Sequence, residues 1–334
     1  MIMRRHLAAV FALALLSPFV AEFLLGDQYL VPDQGVAAQL GMFVVLGLWY
    51  GSGAVLIREV TRRTGRGWPT ILLLGLAFGL VEEGLLTQSL FDPHYLGLDL
   101  LSYGHLGRLG IALPWTVFVL TLHVVWSIAT PIALAEGLWP GREPWSGRVA
   151  LGVTTALLVL GALAIAGVSR SSSGFLATPG QLVVSAGSAV ILIVVALRRP
   201  RVDEPRAPRP VLPAAAVGLV LATTFQLVQH LGPSRLPARV TTAILLVLLA
   251  AAVIASTTWR LDVLGLAVGA VATYAWVGLV NAARVGPSAV VEQVVIIAVA
   301  VAVTALAVHR RRRAAIRPNE AAAGAGDRAG THRS

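Results

Sequence analysis

Ten stretches of about 20 apolar residues, each long enough to cross a hydrocarbon layer of roughly 30 Å as a helix, run through this 334-residue chain. They lie near 6–25, 36–57, 68–90, 110–138, 148–169, 178–197, 211–230, 238–258, 261–282 and 288–308. Lipid offers no hydrogen bonds, so a crossing segment must satisfy its own backbone, which a helix does. The fold class that follows is all-α: a polytopic transmembrane bundle of about ten helices. Composition excludes the competing classes. Only 13% of residues are charged and 57% are hydrophobic, whereas a soluble domain carries about a quarter charged residues. A disordered chain of this apolarity could not stay solvated. Cysteine is absent, which removes disulfides, thiolate nucleophiles and cysteine-ligated metals.

A net charge of +10, with all 26 basic residues arginine, reads as a nucleic-acid surface only until the positions are read. With ten spans and a cytoplasmic amino terminus, 21 arginines fall inside and five (Arg108, Arg170, Arg235, Arg239, Arg284) outside. That is the positive-inside pattern, and it places both termini in the cytoplasm. The expected partner is therefore membrane lipid and not nucleic acid, and the expected location is the cytoplasmic (plasma) membrane, in multiple passes. Arg4 and Arg5 precede a first stretch that runs to Glu22 without a small-x-small cleavage site, so it reads as an uncleaved helix. The Pro- and Arg-rich segment RRPRVDEPRAPRP, 198–210, separates a six-helix region, 1–197, from a four-helix region, 211–309. It reads as a hinge. Residues 310–334, basic and then rich in Ala and Gly, read as a disordered cytoplasmic tail that attracts anionic lipid through Arg310 to Arg313.

Ionisable side chains inside the spans cost about 2.5 to 3.5 kcal/mol each at the bilayer centre, so they face the bundle interior and mark function. The third span carries Glu82 and Glu83, about 14 residues or roughly 21 Å from its cytoplasmic start. The fourth carries His123 near the midplane. Gly75, Gly79, Glu83 and Thr87 recur every four residues, so the glycines admit a neighbouring backbone just below Glu83. Glu82 points about 100° away, so the two acids need not share a job. Thr116, His123, Ser127 and Thr130 form a stripe on the fourth span, ahead of a kinking Pro131. Thr223, Gln226 and His230 form another on the seventh. Together the stripes predict a wet pocket lined by two acids and two imidazoles, with Glu82, Glu83 and His123 catalytic and Glu22, Thr87, Ser127, Gln226, His230 and Asn281 supporting. An internal hydrogen-bonded staple is the alternative for the first three. For Glu22, His230, Asn281 and Glu292, interfacial or capping roles compete.

Other features read as structural. Arg58, Glu59, Arg62, Arg63 and Glu136 are expected to be a snorkelling ion-pair cluster. Trp49, Trp68, Trp115, Trp139, Trp145 and Trp259 are expected in aromatic belts. The longest outer loop, between the third and fourth spans, is apolar enough to lie along the interface. Its Asp92, His94, Asp99 and His105 match no metal signature and read as a solvated loop. No phosphate loop, nucleophile elbow or HExxH pair occurs, so neither cofactor nor metal is expected.

The segment LVEEGLLTQSLF, followed by His123 on the next span and His230 on a later one, resembles the CAAX-processing and bacteriocin-protection family of intramembrane glutamate proteases. The resemblance implies that Glu82 and Glu83 are the acidic pair, one of them activating water, and that His123 and His230 match the two histidines that stabilise the oxyanion at a scissile amide. The family's Arg after the pair is replaced here by Thr87 and Gln88. Its Asn after the second histidine is replaced by Ser234. The reading that follows is an intramembrane peptidase acting on a membrane-embedded peptide. A proton-coupled transporter or permease of a small molecule, in which the carboxylates carry a proton, and a non-catalytic scaffold are the alternatives.

Overall fold

The computed structural model describes residues 2–27, 35–201 and 209–330. Most of the hinge segment, 202–208, lies outside them. Ten helices are long and apolar enough to cross a membrane: α1 Arg5–Phe23, α2 Ala37–Arg63, α3 Trp68–Leu86, α4 Leu113–Leu138, α5 Arg148–Ser173, α6 Pro179–Arg198, α7 Val211–Arg235, α8 Ala238–Ser256, α9 Val263–Val285 and α10 Pro287–Ile316. Their starts agree with the ten apolar runs to within three residues, and their ends to within eight, the last helix running the furthest past its run. The last helix continues beyond its span to Gly330, through the tail read above as disorder; the many alanines there are the strongest helix formers.

The helices are not equivalent. Two-thirds of α4 is buried, against 6% of α5. The interior is therefore built by α1, α2, α3, α4 and α9, whose buried side chains form one continuous core with α10. Helices α5 to α8 pack around its outside, with Ala196 of α6 reaching into it, and turn valines and leucines outward to lipid. Trp126 on α4 and Tyr274 on α9 stack at 4.3 Å in the middle of this core.

Contacts at the helix ends show how the chain alternates. At one end His6 reaches Glu143 beyond α4. There Arg66, beyond α2, donates to the carbonyls of Leu197 and Arg199 at the end of α6, and Arg311 pairs with Asp262 at the start of α9. At the other end Tyr103 donates to Leu236 between α7 and α8, and Asn281 donates to Leu25 beyond α1. The loop between α3 and α4 forms a short hairpin there, β1 His105–Leu106 pairing antiparallel with β2 Ile111–Ala112. Asp92 in that loop is buried and accepts from the His94 amide at 2.9 Å, a local turn.

At the first end the ion-pair cluster is confirmed but it does not snorkel. Arg58 and Glu59 are completely buried. The chain after α4 folds back over them, placing the Trp145 ring 3.4 Å from the Arg58 guanidinium. The amides of Trp145 and Ser146 donate to Glu59 at 2.8 and 3.2 Å, while Glu136 bridges Arg58 and Arg62. Trp145 and Trp49, expected in interfacial belts, are buried in the core. A buried guanidinium needs this many acceptors and a ring face, because desolvation costs several kcal/mol per ion.

Candidate functional site

Four of the inner helices contain a π-helical turn: Phe19–Phe23 in α1, Gly47–Gly51 in α2, Glu82–Leu86 in α3 and His123–Ala129 in α4. The wider turns are closed by i→i+5 bonds such as Leu24 N to Phe19 O at 2.8 Å and Thr87 N to Glu82 O at 2.9 Å. Such turns are rare and concentrate at functional sites. Here they carry Glu22, then Trp49 and Tyr50, then Glu82 and Glu83, then His123 and Ser127. Pro131, expected to kink α4, follows directly on the last of them; its missing N–H falls where the wide turn gives way to α-helix.

A side-chain network ties the turns together. The imidazole of His123 lies between the two acids, Nε2 2.6 Å from Glu83 Oε1 and Nδ1 3.1 Å from Glu82 Oε2. Tyr50 donates its hydroxyl to Glu82 Oε1 at 2.5 Å and lays its ring parallel to the imidazole at 5.9 Å. Thr87 donates to Glu83 Oε2 at 3.0 Å, and Ser89 donates to the same oxygen. A left-handed backbone at Gln88, φ 58°, turns the chain back at the end of α3 so that Ser89 reaches it. Ser127 approaches His123 Nδ1 at 3.4 Å. Glu82, Glu83, His123, Tyr50 and Ser89 are all buried.

The supporting residues divide. Thr87 and Ser127 belong to the network. Glu22 interacts with Tyr50 and His123 from α1. Gln226, His230 and Asn281 make contacts of their own instead. His230 Nδ1 donates to the Gln226 carbonyl one turn earlier at 2.8 Å and its ring meets Phe118 edge-on. Gln226 is buried with its amide unpartnered among the described residues, and Asn281 caps Leu25. The helix-seven stripe thus divides: Thr223 meets Thr273 and Trp276 on α9, while His230 packs against Phe118 on α4. The expected pocket of two imidazoles is a cluster built around one. Glu82 and Glu83 also meet at one group: the wider turn takes about one residue more than an α turn and re-aims the pair so that both reach the same ring.

Sequence reasoning passed over six contributors, Ser89 among them. Tyr50 and Trp49 sit in GLWYG, which reads as span. Ser17 places its hydroxyl 3.0 Å from the Tyr50 carbonyl and 2.6 Å from that of Ser127, serving two carbonyls beside the wide turns. Asp27, just beyond α1, and Tyr95, in the loop after α3, interact with the acids from the loop end. Both titrate outside the spans. The Asp27 carboxyl is pushed well above the ordinary carboxylate range, first by burial and then by Glu22. The Tyr95 phenol is raised by burial, then by Glu83, Glu82, Glu22 and Asp27. One signal was available: the glycines bracketing Trp49 and Tyr50.

One imidazole and two carboxylates can exchange protons, or act as base toward a water. Each offers a ligand atom within 4.8 Å of the others, so the same set could hold a divalent cation through mixed N and O donors.

The arrangement defines a polytopic membrane protein with a buried Glu–His–Glu group beneath one set of loops. The chain belongs to an uncharacterized membrane protein family, whose model matches residues 11–325. No curated protein and no solved structure matches it significantly.

Proposed function

We propose that the protein is a proton-coupled secondary transporter in which Glu82, Glu83 and His123 bind and release the coupled proton. The observation that supports this is the single imidazole set between two carboxylates at 2.6 and 3.1 Å. A neutral imidazole donates from one nitrogen only, so facing a carboxylate on both sides requires a second proton, on the ring or on an acid. With one proton fewer, two acceptors face each other in a dry interior, and the helices that bring them together are pushed apart. Proton occupancy is thereby linked to helix arrangement, which is what coupling requires. Tyr50 extends the group from Glu82, and Glu22, Asp27 and Tyr95 stand close enough to influence these acids electrostatically from the side of one set of loops.

A second reading, peptide hydrolysis of the CAAX-processing type, is favoured by Glu82 Oε2. Apart from its 3.1 Å contact with His123 Nδ1 it has no partner among the described residues, and it could accept a hydrogen bond from an attacking water. Hydrolysis ranks second because His123 has both nitrogens against carboxylates and no N–H turned toward an oxyanion.

Proteoliposomes loaded with the pH dye pyranine test the two. Pools of amino acids, peptides, organic acids and amphiphilic cations are added outside. We expect at least one pool to drive a lumenal pH change, abolished in Glu82→Gln and in Glu83→Gln while both variants elute as folded protein. Proton movement that survives in both variants, or cleavage of a reconstituted membrane peptide that depends on Glu82 without any proton movement, would overturn the transporter reading.

A further inference from the structure

Away from the buried group, α9 and α10 leave a groove of about 470 Å³ on the lipid-facing side of the bundle. Its walls are apolar, with Val271 and Ala275 on α9 facing Ile297 and Val308 on α10, and its polar members besides Thr304 are His309 and Arg312 at one end. From Ile297 to Val308 the helix rises about 16 Å, close to the roughly 15 Å depth of one leaflet. The basic pair then stands where headgroups lie. The four consecutive arginines here are not equivalent. Arg310 turns to the Leu138 carbonyl and the Trp139 ring, and Arg311 is paired with Asp262. Arg312 makes no hydrogen bond or ion pair among the described residues and lines the groove.

We infer that this groove seats one acyl chain of an anionic phospholipid, with its phosphate held by Arg312 beside His309. Depth, apolarity and the position of the charge fit a lipid lying parallel to α10. A free phosphate would use only the basic end.

Native mass spectrometry of the purified full-length protein, incubated with phosphatidylglycerol or phosphatidylcholine, reads the site. Retention of phosphatidylglycerol over phosphatidylcholine should fall about five-fold in Arg312→Gln, the loss of one cationic contact. It should be unchanged in Arg313→Gln, which removes the same charge one residue away. Ala305→Trp, filling the groove, should release both lipids. Equal losses in the two arginine variants would reduce the effect to general surface charge and overturn the proposal. So would undiminished lipid retention in a folded Ala305→Trp, or full displacement of the lipid by inorganic phosphate. If Ala305→Trp does not fold, the comparison of Arg312 with Arg313 still decides.

Discussion

At His123 a single ring meets Glu82 and Glu83 of α3 and the Tyr50 ring of α2, and Glu22 and Asp27 add two further carboxyls from α1 and the chain just beyond it. pH acts on the last of these carboxyls, Asp27. Because burial and Glu22 raise the Asp27 carboxyl, the folded protein keeps that proton to higher pH than the unfolded chain does. The native state therefore binds more protons than the unfolded state above the unfolded value near 4, and stability declines as pH rises through the folded value. The contribution is complete below about pH 4 and lost on the alkaline side. Melting temperatures of detergent-solubilised protein between about pH 5 and pH 9 should fall for the wild type and fall less steeply for Asp27→Asn. Parallel profiles for the two would show that Asp27 titrates as an ordinary carboxylate.

Among the elements, α3 and α4 depend on each other through a missing side chain. A Cβ at Gly79 would stand 2.8 Å from the Cβ of His123, an atom that cannot move without its backbone. Gly79→Ala should therefore push α4 away, cost about 1–3 kcal/mol as overpacking does, and weaken proton binding at the site more than it weakens folding. Gly41→Ala, with open space around it, is the control. Loss of proton movement in Gly79→Ala vesicles with a melting temperature a few degrees lower is the expected outcome, and wild-type behaviour would mean the helices have slack. This same approach of glycine to histidine was legible in the four-residue spacing of Gly75, Gly79 and Glu83, and the ten spans were legible because lipid leaves helices as the option for such runs. What a regular 3.6-residue period could not convey was the wide turn. It assumes that Glu82 and Glu83 diverge, and it gives no reason for Tyr50 to join them. His230 stands apart from the cluster for a related reason: polar spacing shows which residues share a face, while the partner of that face is set by how α7 packs on its neighbours, here Phe118 of α4. The burial of Arg58 was hidden too, since it depends on residues near 145 returning over the helix end.

For the molecule as a whole, one end gathers arginines and the other gathers the loops above the site. The amino terminus and the segments after α2, α4, α6 and α8 meet at the first end through His6–Glu143, Arg142–Arg66, Arg66–Leu197 and Arg209–Trp259. These contacts fix which segments share a side, and the arginine asymmetry argues that this side is the cytoplasm. The chain has no cysteine, so single cysteines can be introduced without background. A membrane-impermeant maleimide applied to intact cells should label Ser102→Cys and Ser234→Cys, exposed at the loop end. It should reach Gly147→Cys and Arg199→Cys only after permeabilisation. Labelling in the reverse order would invert the protein. The consequence reaches the site: in the orientation argued here Asp27 and Tyr95 face outward, so on the transporter reading proposed above the proton would reach Glu82, Glu83 and His123 from outside, whereas in an inverted protein the same groups would open towards the cytoplasm.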